Sequence, residues 1–562
     1  MDDSTLERPK AGKGRRWQTR GRIADPAAAR DIDLVLGHEP VRRDHLIEYL
    51  HRIQDRFGAL MPRHLKALAD RMRLSEVEVF EVASFYHHFD IRRDDDAGPA
   101  AITIRVCDSV SCMLAGGEAL VERLTDLVDP AHVRIMRAPC IGRCAEAPAA
   151  LIGKRAVGHA TAERLRDLAA AGTVTPEPVA ATRLAEYQAA GGYRLLASMR
   201  SGALTPAAIT EALSDAGLRG LGGAGFPAGR KWSIVRSFPA PRLMTINADE
   251  GEPGTFKDRC LLEADPHRVL EGALIAAQAV EAERIYLYLR DEYAHLHQLL
   301  GAEIDALARA ELIKPGFIEL RRGAGAYVCG EESAMLASIE GRRGLPRHRP
   351  PYIAEAGLFG RPTLNHNVET LYWIRDILDH GAEWFAGQGL NGARGLRSFS
   401  VSGRVRFPGL KRAPAGITLR ELVDQHCGGM AEGHRLAGYL PGGASGGMLP
   451  ASRADLPLEF GRLEPHGCFI GSHAIVVFSD QDDPAAIALN LMQFFRHESC
   501  GQCTPCRLGT EKLVALMEQG ALDRALVADI DHAMREGSIC GLGQAAPNPL
   551  ACLIRYFPEA LR

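Results

Sequence analysis

The chain has 562 residues, of which 46% are hydrophobic and 24% charged, and its formal net charge is −3. At roughly 100–200 residues per domain, this length predicts about three to five domains of an ordinary globular protein. The near-neutral charge lacks the basic footprint that nucleic-acid phosphates require, and no apolar run reaches the ~20 residues that span a bilayer. We therefore expect neither a nucleic-acid partner nor membrane insertion.

The N-terminal segment, residues 1–30, contains basic residues but lacks the apolar stretch of a signal peptide. Asp2, Asp3 and Glu7 argue against a transit peptide. We expect a solvated tail on a cytoplasmic protein, and a docking arm for a partner subunit is the alternative. Over residues 31–95, apolar residues recur at helical spacing, which predicts a helical N-terminal region.

Residues 96–170 change pattern and predict a small α/β domain. Two β-like runs, 101–107 and 132–138, flank a helical run at 111–128. The following segment, residues 171–195, has the composition of a linker. This linker separates the two halves of the chain.

Four cysteines lie just after the two β-like runs of this domain. Cys107 and Cys112 are separated by four residues, and Cys140 and Cys144 by three. A [2Fe–2S] cluster uses two thiolates per iron, so two close pairs suit it. The spacing predicts a [2Fe–2S] cluster, and a zinc site or unligated thiols are the alternatives.

Residues 196–395 predict a parallel α/β domain. A capped helix near 205–217 comes first. Three strand-like runs follow, at 242–247, 284–289 and 316–322, with an amphipathic helical run between the first two. Strand–helix–strand order predicts a Rossmann-like sheet of parallel strands.

A glycine-rich loop, GLGGAGFPAG, lies between the capped helix and the first strand. Gly220, Gly222 and Gly225 match G-x-G-x-x-G, but the motif follows a helix instead of a strand and so departs from the ordinary dinucleotide fingerprint. The exposed backbone N–H groups of such a loop can pack against a flat ring or a phosphate, and Lys231 can neutralise phosphate charge. A plain surface loop is the alternative.

Acidic and polar side chains follow two of the predicted strands. Open α/β sheets bind ligands at the carboxyl ends of their strands, where such groups can hydrogen-bond ribityl and ribose hydroxyls. A solvated acidic face is the alternative. The residues are Asn247, Asp249, Glu250 and Glu252 after the first strand, and Tyr327, Glu331 and Glu332 after the third.

The last two segments differ in pattern. Residues 396–480 are rich in β-like runs and turns, which predicts a small α+β domain. Residues 481–562 predict helices around a cysteine group. The dispersed cysteines are predicted to be small buried hydrophobes; they are Cys260, Cys329, Cys427 and Cys468.

The C-terminal cysteine group has C-x2-C-x2-C spacing. Three thiolates on a compact turn, those of Cys500, Cys503 and Cys506, suit three corners of a [4Fe–4S] cubane. Glycines beside Cys540 let the backbone approach closely, so Cys540 is the predicted fourth ligand and Cys552 its competitor. Zinc is the alternative metal.

Together these motifs resemble a known family. Residues 200–562 look like the flavin-carrying NADH dehydrogenase subunit of respiratory complex I; the matching stretches are GLGGAGFPAGRKW, NADEGEPGTFKDR, GAGAYVCGEESA, PTLNHNVET and SCGQCTPCR…SICGLG. Residues 30–165 resemble the small thioredoxin-like [2Fe–2S] subunit through CDSVSC and CIGRC. The resemblance implies an α/β and α+β multidomain protein. Its parts would be a helical plus thioredoxin-like [2Fe–2S] domain, a Rossmann-like FMN and NAD domain, a ubiquitin-like β-grasp domain at 396–480 and a C-terminal helical bundle with [4Fe–4S].

The resemblance also implies two further cofactors, FMN and NAD(H), and assigns residues to them. Glu250, Glu252 and Tyr327 would act at the reacting centre, where hydride passes between nicotinamide and flavin. FMN would be held by Gly220, Gly222, Gly223, Gly225, Lys231, Asn247, Asp249, Glu331, Asn365, His366 and Asn367. NAD(H) would contact Phe226, Glu252, Tyr327, Glu332, Arg349 and Tyr352.

Three positions depart from the family pattern. Leu221 replaces a basic residue, Ile234 lies where an aromatic residue is usual, and His366 replaces an asparagine. These changes predict altered contacts around the adenine and the phosphate, but they leave the cluster ligands in place.

The fusion of the two halves narrows the kind of complex. Fused versions occur in NAD-linked formate dehydrogenases and in NAD-reducing hydrogenases, and the complete N-terminal cysteine set and the NHNVET segment favour the former. We expect the diaphorase (beta) subunit of a formate dehydrogenase. Its catalytic alpha subunit would carry further iron–sulfur clusters and a molybdenum or tungsten pterin. A hydrogenase or complex I-type subunit is the alternative, and a zinc-stabilised nucleotide-binding scaffold is the alternative of another class.

Overall fold

Three sheets organise the chain, one in each of three successive domains. The computed structural model describes residues 23–37, 40–96, 98, 100–520 and 522–561. Most of the expected tail, residues 1–22, lies outside this description. The architecture confirms the predicted mixture of α/β and α+β domains.

Four helices precede the first sheet. Asp25 caps the first of them by accepting the N–H of Ala27 at 2.9 Å, and Pro26 occupies its first turn. This helix therefore begins inside the segment expected to be a tail. The four helices are α1 Pro26–Leu36, α2 Leu46–Phe57, α3 Pro62–Met72 and α4 Glu76–Phe85.

The first sheet belongs to a domain of seven elements. They are β1 Ile102–Cys107, α5 Val110–Leu114, α6 Gly117–Leu127, β2 Val133–Ala138, β3 Ala150–Ile152, β4 Arg155–Val157 and α7 Ala162–Ala170. The strand order is β2-β1-β3-β4, and β1 runs parallel to β2. The predicted helix at 111–128 is broken in two, because Gly116 adopts a φ of 85° between α5 and α6. Cys107 ends β1 beside Ala138, so the cysteine pairs meet at one edge of this sheet.

The expected linker contains helices. α8 Leu184–Ala189 lies within it, and α9 Arg194–Arg200 begins at its end. The Tyr187 hydroxyl donates to Glu271 at 2.6 Å, and the Tyr193 hydroxyl lies 2.8 Å from Nδ1 of His267. These buried tyrosines attach the segment to the core of the second domain, which composition alone did not indicate.

The second sheet has four parallel strands surrounded by helices. Its elements are α10 Pro206–Asp215, α11 Ala228–Ser237, β5 Arg242–Ala248, α12 Lys257–Ala264, α13 Pro266–Ala279, β6 Ala282–Leu289, α14 Ala294–Arg309, β7 Ile318–Arg322, α15 Glu332–Ile339, α16 Ile353–Ala356, β8 Thr363–Asn367, α17 Val368–Tyr372, α18 Ile374–His380 and α19 Ala382–Ala386. The order β7-β6-β5-β8 confirms the predicted parallel sheet. All four strands end at the same side, which we call the carboxyl edge. Asn247 pairs there with Asn367.

The third sheet is mixed. Its domain comprises β9 Leu396–Gly403, β10 Gly409–Pro414, α20 Leu419–Glu421, β11 Leu436–Leu440, β12 Leu449–Pro450 and β13 Ala474–Ser479. β13 lies between β9, to which it is parallel, and β11, to which it is antiparallel. The C-terminal helices are α21 Pro484–Glu498, α22 Thr504–Glu518, α23 Arg524–Gly537, α24 Gly541–Ala545 and α25 Asn548–Tyr556. Within the described parts of the chain, no helix combines the length and apolarity needed to cross a membrane.

A buried guanidinium fixes the N-terminal helices to β7, the edge strand of the second sheet. The Arg321 side chain is 2% exposed, and its Nε donates to the carboxylate of Glu48 at 2.5 Å. Asp44 and Glu319 lie 3.4 Å and 3.2 Å from its Nη1. Removing this cation would leave the Glu48 carboxylate unpaired at a partly buried interface, whereas Arg42 still pairs with Asp44 and Arg284 with Glu319.

We expect Arg321→Met to weaken the attachment of the N-terminal helices to the second domain. The free energy of this attachment will decrease by about 3–5 kcal/mol, because a buried ion pair loses one partner. The measurement is the urea concentration at which proteolysis releases the N-terminal fragment. Arg435→Met is the control, since that side chain is 87% exposed beside Asp480. Equal shifts in the two variants would contradict the anchoring role of Arg321.

Candidate functional site

The first cysteine group gathers at the ends of β1 and β2. Sγ of Cys140 lies 3.2 Å from Sγ of Cys144, and the buried thiols of Cys107 and Cys112 belong to the same hydrogen-bonded set. Hydrogen bonds from Cys107 and Cys144, and then the charge of Arg290, lower the pKa of Cys140 well below its usual value. The thiolate is the ligating form, so this arrangement fits a [2Fe–2S] cluster.

The second cysteine group lines a single cavity. The thiols on its wall are those of Cys500, Cys503, Cys506 and Cys540. Cys552 lies elsewhere in the core, with its Sγ 3.5 Å from that of Cys468. The structure thus brings the predicted fourth ligand together with the other three and separates its competitor from them. Four thiols around one cavity fit a [4Fe–4S] cubane.

At the carboxyl edge, Asn247 and Asp249 occupy the end of β5. Nδ2 of Asn247 donates to the Gly330 carbonyl at 2.8 Å, and its Oδ1 accepts the N–H of Asp249 at 3.1 Å. Oδ2 of Asp249 is buried without a hydrogen-bond partner in the described structure, and burial raises the pKa of this carboxyl well above its usual value. Because unpaired buried polar atoms are rare, this oxygen fits a donor group of a bound ligand.

Glu250 faces the protein interior and is 5% exposed. Its carboxylate accepts the N–H groups of Asp258 at 2.7 Å and Arg259 at 3.1 Å, and the hydroxyl of Tyr293 at 2.9 Å. Burial, and next the Asp258 carboxylate, raise the pKa of Glu250 to about 7. All these partners belong to the protein, which indicates that Glu250 positions the segment between β5 and α12.

Arg290, directly after β6, connects the carboxyl edge to the first cysteine group. Its Nη2 donates to the Cys140 carbonyl at 2.6 Å and pairs with Glu292 at 2.6 Å. Its Nη1 donates to the Glu250 carbonyl. Sequence reasoning missed this residue, although the charged triplet RDE at a strand end was an available signal.

Glu252 and Tyr327 join the carboxyl edge to the domains that follow. The Tyr327 hydroxyl donates to Glu252, and the N–H of Ser445 donates to the same carboxylate at 2.7 Å. The Tyr327 N–H donates to Glu498 at 2.9 Å, two residues before Cys500. Burial raises the pKa of Glu252. Ser445 and Glu498 were missed because only the tertiary fold brings them here.

The glycine-rich loop between α10 and α11 leaves no room for side chains at two positions. A Cβ on Gly222 would lie 3.0 Å from Cβ of Asn367, and one on Gly225, whose φ is 66°, would lie 2.8 Å from the ring of Phe460. Gly223 is different, since its Cβ would meet only Gly471 at 4.0 Å. The loop backbone thus approaches the end of β8 closely and keeps an open surface at its centre.

Several expected nucleotide contacts lie at an open rim. Phe226 is 38% exposed and Tyr352 59% exposed. Arg349 pairs with Glu331 at 2.7 Å and with Glu332 at 2.9 Å. Glu331 also caps α15, so the rim is attached to the carboxyl edge through this helix start.

Lys231 and Asn365 meet beneath the glycine-rich loop. Nζ of Lys231 donates to the Asn365 carbonyl at 3.1 Å and lies 3.8 Å from Glu332. Burial lowers the pKa of Lys231. Oδ1 of Asn365 accepts the Thr245 hydroxyl at 3.0 Å, so this side chain orders the sheet.

The side chains at the end of β8 point in alternate directions. Asn367 donates to Asp258 at 2.6 Å and accepts from Lys257 at 3.0 Å. His366 is turned into the core, where its Nε2 accepts the indole N–H of Trp232 at 2.6 Å. Successive strand residues face opposite sides, so the His366 side chain points away from that of Asn367 and contacts the core.

Four family models match the chain, one over each region. The Nuo51 FMN-binding domain matches residues 213–376, and the thioredoxin-like [2Fe-2S] ferredoxin matches 32–172. The NADH-ubiquinone oxidoreductase-F iron-sulfur binding region matches 486–562, and the SLBB domain matches 398–449.

Curated relatives and solved structures agree with these models. The second F-type NADH-quinone oxidoreductase subunit of Rhizobium meliloti is 39% identical over 389 residues, which are 66% of this chain and 92% of that protein. The chain belongs to the family of F-type NADH-quinone oxidoreductase subunits. The mitochondrial NADH dehydrogenase [ubiquinone] flavoprotein 1 of Dictyostelium discoideum is 42% identical over 62% of this chain and 78% of that protein. A crystal structure of an NAD+-reducing [NiFe]-hydrogenase in the H2-reduced state has a TM-score of 0.81 and 34% identity over 92% of each chain.

Family membership confirms the predicted cofactors. The chain is an oxidoreductase flavoprotein of the NADH dehydrogenase type, with an FMN-binding domain, a [2Fe–2S] ferredoxin domain and a [4Fe–4S] binding region. Both cysteine groups fall within the iron–sulfur matches, which favours iron over the zinc alternatives. The hydrogenase match covers both halves, so that chain shares the fused arrangement.

We expect Cys540→Ser to abolish the [4Fe–4S] cluster and Cys552→Ser to preserve it, because only the Cys540 thiol lines the cavity. Iron and acid-labile sulfide, measured per FMN, will decrease by the amount in one [4Fe–4S] cluster in Cys540→Ser and will not change in Cys552→Ser. The [2Fe–2S] signal in electron paramagnetic resonance is the internal control. The opposite pattern would assign the fourth ligand to Cys552.

The carboxyl of Glu250 gives folding a pH dependence. Its folded pKa of about 7 lies above the ordinary value of 4.5, so the folded state favours the protonated form. The free energy of unfolding therefore decreases by up to about 3 kcal/mol as the pH rises from 4.5 to about 7. This titration is absent in Glu250→Gln. The urea midpoint of the wild type minus that of the variant will therefore decrease as the pH is raised from about 5 to about 8. Parallel pH profiles would show that Glu250 does not titrate in this range.

Proposed function

We propose that the chain is the diaphorase subunit of a cytoplasmic NAD-dependent formate dehydrogenase, in which electrons from formate reduce NAD+. One observation carries its electron-transfer role: the carboxyl edge is hydrogen-bonded to both cysteine groups. Arg290 reaches the Cys140 carbonyl, and the Tyr327 N–H reaches Glu498, two residues before Cys500. A two-electron carrier site placed between one-electron groups supports a function in converting hydride transfer to single-electron transfer.

FMN, when bound, supplies the conversion between two-electron and one-electron transfer. The part of the protein is to hold and orient it. We assign the flavin to the surface of loop 220–225, whose centre at Gly223 is open. Lys231 supplies a cation for the phosphate, and the unpaired Oδ2 of Asp249 supplies an acceptor for a hydroxyl. Asn247 fixes Asp249 by accepting its N–H.

We assign NAD(H) to the open rim beside this loop. Phe226 and Tyr352 expose aromatic faces on which planar bases can stack, and Arg349 offers a cation for phosphate. Glu252 and Tyr327 hold each other by a hydrogen bond and provide polar groups next to the flavin surface. Stacking in a fixed orientation is what hydride transfer requires, so no nucleophilic side chain is needed.

The proposed partner is a catalytic alpha subunit with further iron–sulfur clusters and a molybdenum or tungsten pterin. The complete N-terminal cysteine set and the NHNVET segment support the formate branch. The match over 92% of both chains favours a second candidate, the diaphorase subunit of an NAD-reducing hydrogenase.

The experiment is to purify the native complex and measure NAD+ reduction with formate and with hydrogen as donors. We expect formate-dependent formation of NADH and molybdenum or tungsten in the partner subunit. Hydrogen-dependent reduction with nickel would replace the formate assignment by the second candidate. A complex that contains no flavin and oxidises no NADH with artificial acceptors would exclude both candidate functions.

A further inference from the structure

Two exposed histidines and a buried glutamate meet where the N-terminal helices contact the C-terminal cysteine domain. The rings of His87 and His497 stack with centroids 4.2 Å apart and planes 25° from parallel. One potential ligand atom from each of His87, His497 and Glu498 lies within 4.8 Å of the other two. The two imidazoles have no part in the flavin, nucleotide or cluster sites assigned above, and Glu498 is connected to them by accepting the N–H of Tyr327.

These donors are the set that a transition metal uses. Two imidazoles and one carboxylate bind Zn²⁺ at about 2.0–2.2 Å and leave a fourth position for water. Such bonds bring the donor atoms to about 3–4 Å from one another, which rotation of two exposed rings can achieve. The neutral imidazole is the form that ligates a metal.

Glu498 is already oriented for this role. Its side chain is buried, and its Oε2 accepts the N–H of Tyr327 at 2.9 Å. Among the described residues its Oε1 makes no hydrogen bond, and its carboxylate has no ion-pair partner. With Oε2 engaged by Tyr327, Oε1 is the atom of Glu498 available as a ligand beside the two imidazoles.

A second group of similar residues lacks this property. Asp44, His45 and Glu319 also lie within 4.8 Å of one another, but Arg321 contacts both of their carboxylates. The guanidinium occupies the position of a cation there. The comparison separates a cluster that is compensated within the protein from one that is not.

We propose that His87, His497 and Glu498 bind one divalent transition-metal ion, with Zn²⁺ as the expected species. The ion would join the segment after α4 to the end of α21, which leads into Cys500. The first of these segments already contacts the second domain, since the His87 N–H donates to the Gly325 carbonyl at 3.2 Å. A metal here would thus fasten three parts of the chain and hold Glu498 against the backbone of Tyr327.

The test uses the complete holo complex after treatment with a chelator. Zn²⁺ is titrated in by calorimetry while the iron content is followed, and Mg²⁺ is titrated in parallel. We expect one Zn²⁺ per chain to bind without loss of iron and Mg²⁺ not to bind, because Mg²⁺ prefers oxygen ligands. In His87→Gln and in His497→Gln, the dissociation constant of Zn²⁺ will rise at least about tenfold.

His380→Gln is the matched control, because it removes an exposed imidazole whose ring centroid lies 4.6 Å from that of Trp384. It will keep the wild-type affinity. Unchanged iron and flavin contents verify that all three variants are folded, so the binding result does not depend on the electron-transfer function. Three outcomes overturn the proposal: no saturable Zn²⁺ uptake by the wild type, equal uptake by the wild type and both ligand variants, or uptake only with loss of iron.

Discussion

The buried guanidinium of Arg290 sets the relation between the carboxyl edge and the first cysteine group. A charge that is 6% exposed requires partners with defined geometry, because leaving it unpaired costs several kcal/mol. Its partners are the Glu292 carboxylate and the carbonyls of Glu250 and Cys140. The Glu250 carbonyl lies in the segment between β5 and α12, and the Cys140 carbonyl belongs to the first cysteine group. Satisfying one cation therefore fixes the carboxyl edge against the first cysteine group.

The same carboxyl edge concentrates buried charge, and the pattern of its pairing distinguishes scaffold from ligand site. Lys257 lies 2.7 Å from Asp258 and 3.4 Å from Glu369, so these charges compensate one another. Glu250 is saturated by backbone N–H groups and a hydroxyl. Among these acids in the described structure, only Asp249 keeps a buried oxygen that has neither a hydrogen-bond partner nor an ion-pair partner. A parallel sheet brings such groups together, and the unpaired oxygen of Asp249 is the reason that we propose it as a contact of the bound cofactor.

Local patterns predicted the parts of the molecule that depend on local structure. The strands β1, β2, β5, β6 and β7, the helix after Thr205 and both cysteine groups follow from periodicity, capping and spacing, and the resemblance added the order of the domains. Residues whose role depends on distant partners were not predictable in this way. Ser445 reaches Glu252, and Glu498 reaches Tyr327, across more than a hundred residues of sequence. The core position of the His366 side chain was also not predictable, because a motif lists residues without showing which side chains alternate into the core.

Polar groups and a small buried apolar cluster, in which Phe256 packs with Cys140 and Cys144, join the first two sheet domains. Nε of Arg259 donates to the Gly142 carbonyl at 2.9 Å, and the space above Gly142 is filled by the ring of Tyr293. The Rhizobium meliloti relative matches only 66% of this chain while covering 92% of its own length, so most of the first half has no counterpart within that match. Linking the halves replaces association from dilute solution by an intramolecular contact at high effective concentration. The hydrogen bonds of Arg259 and Arg290 to the cysteine-bearing segment therefore form within one chain and do not depend on its concentration.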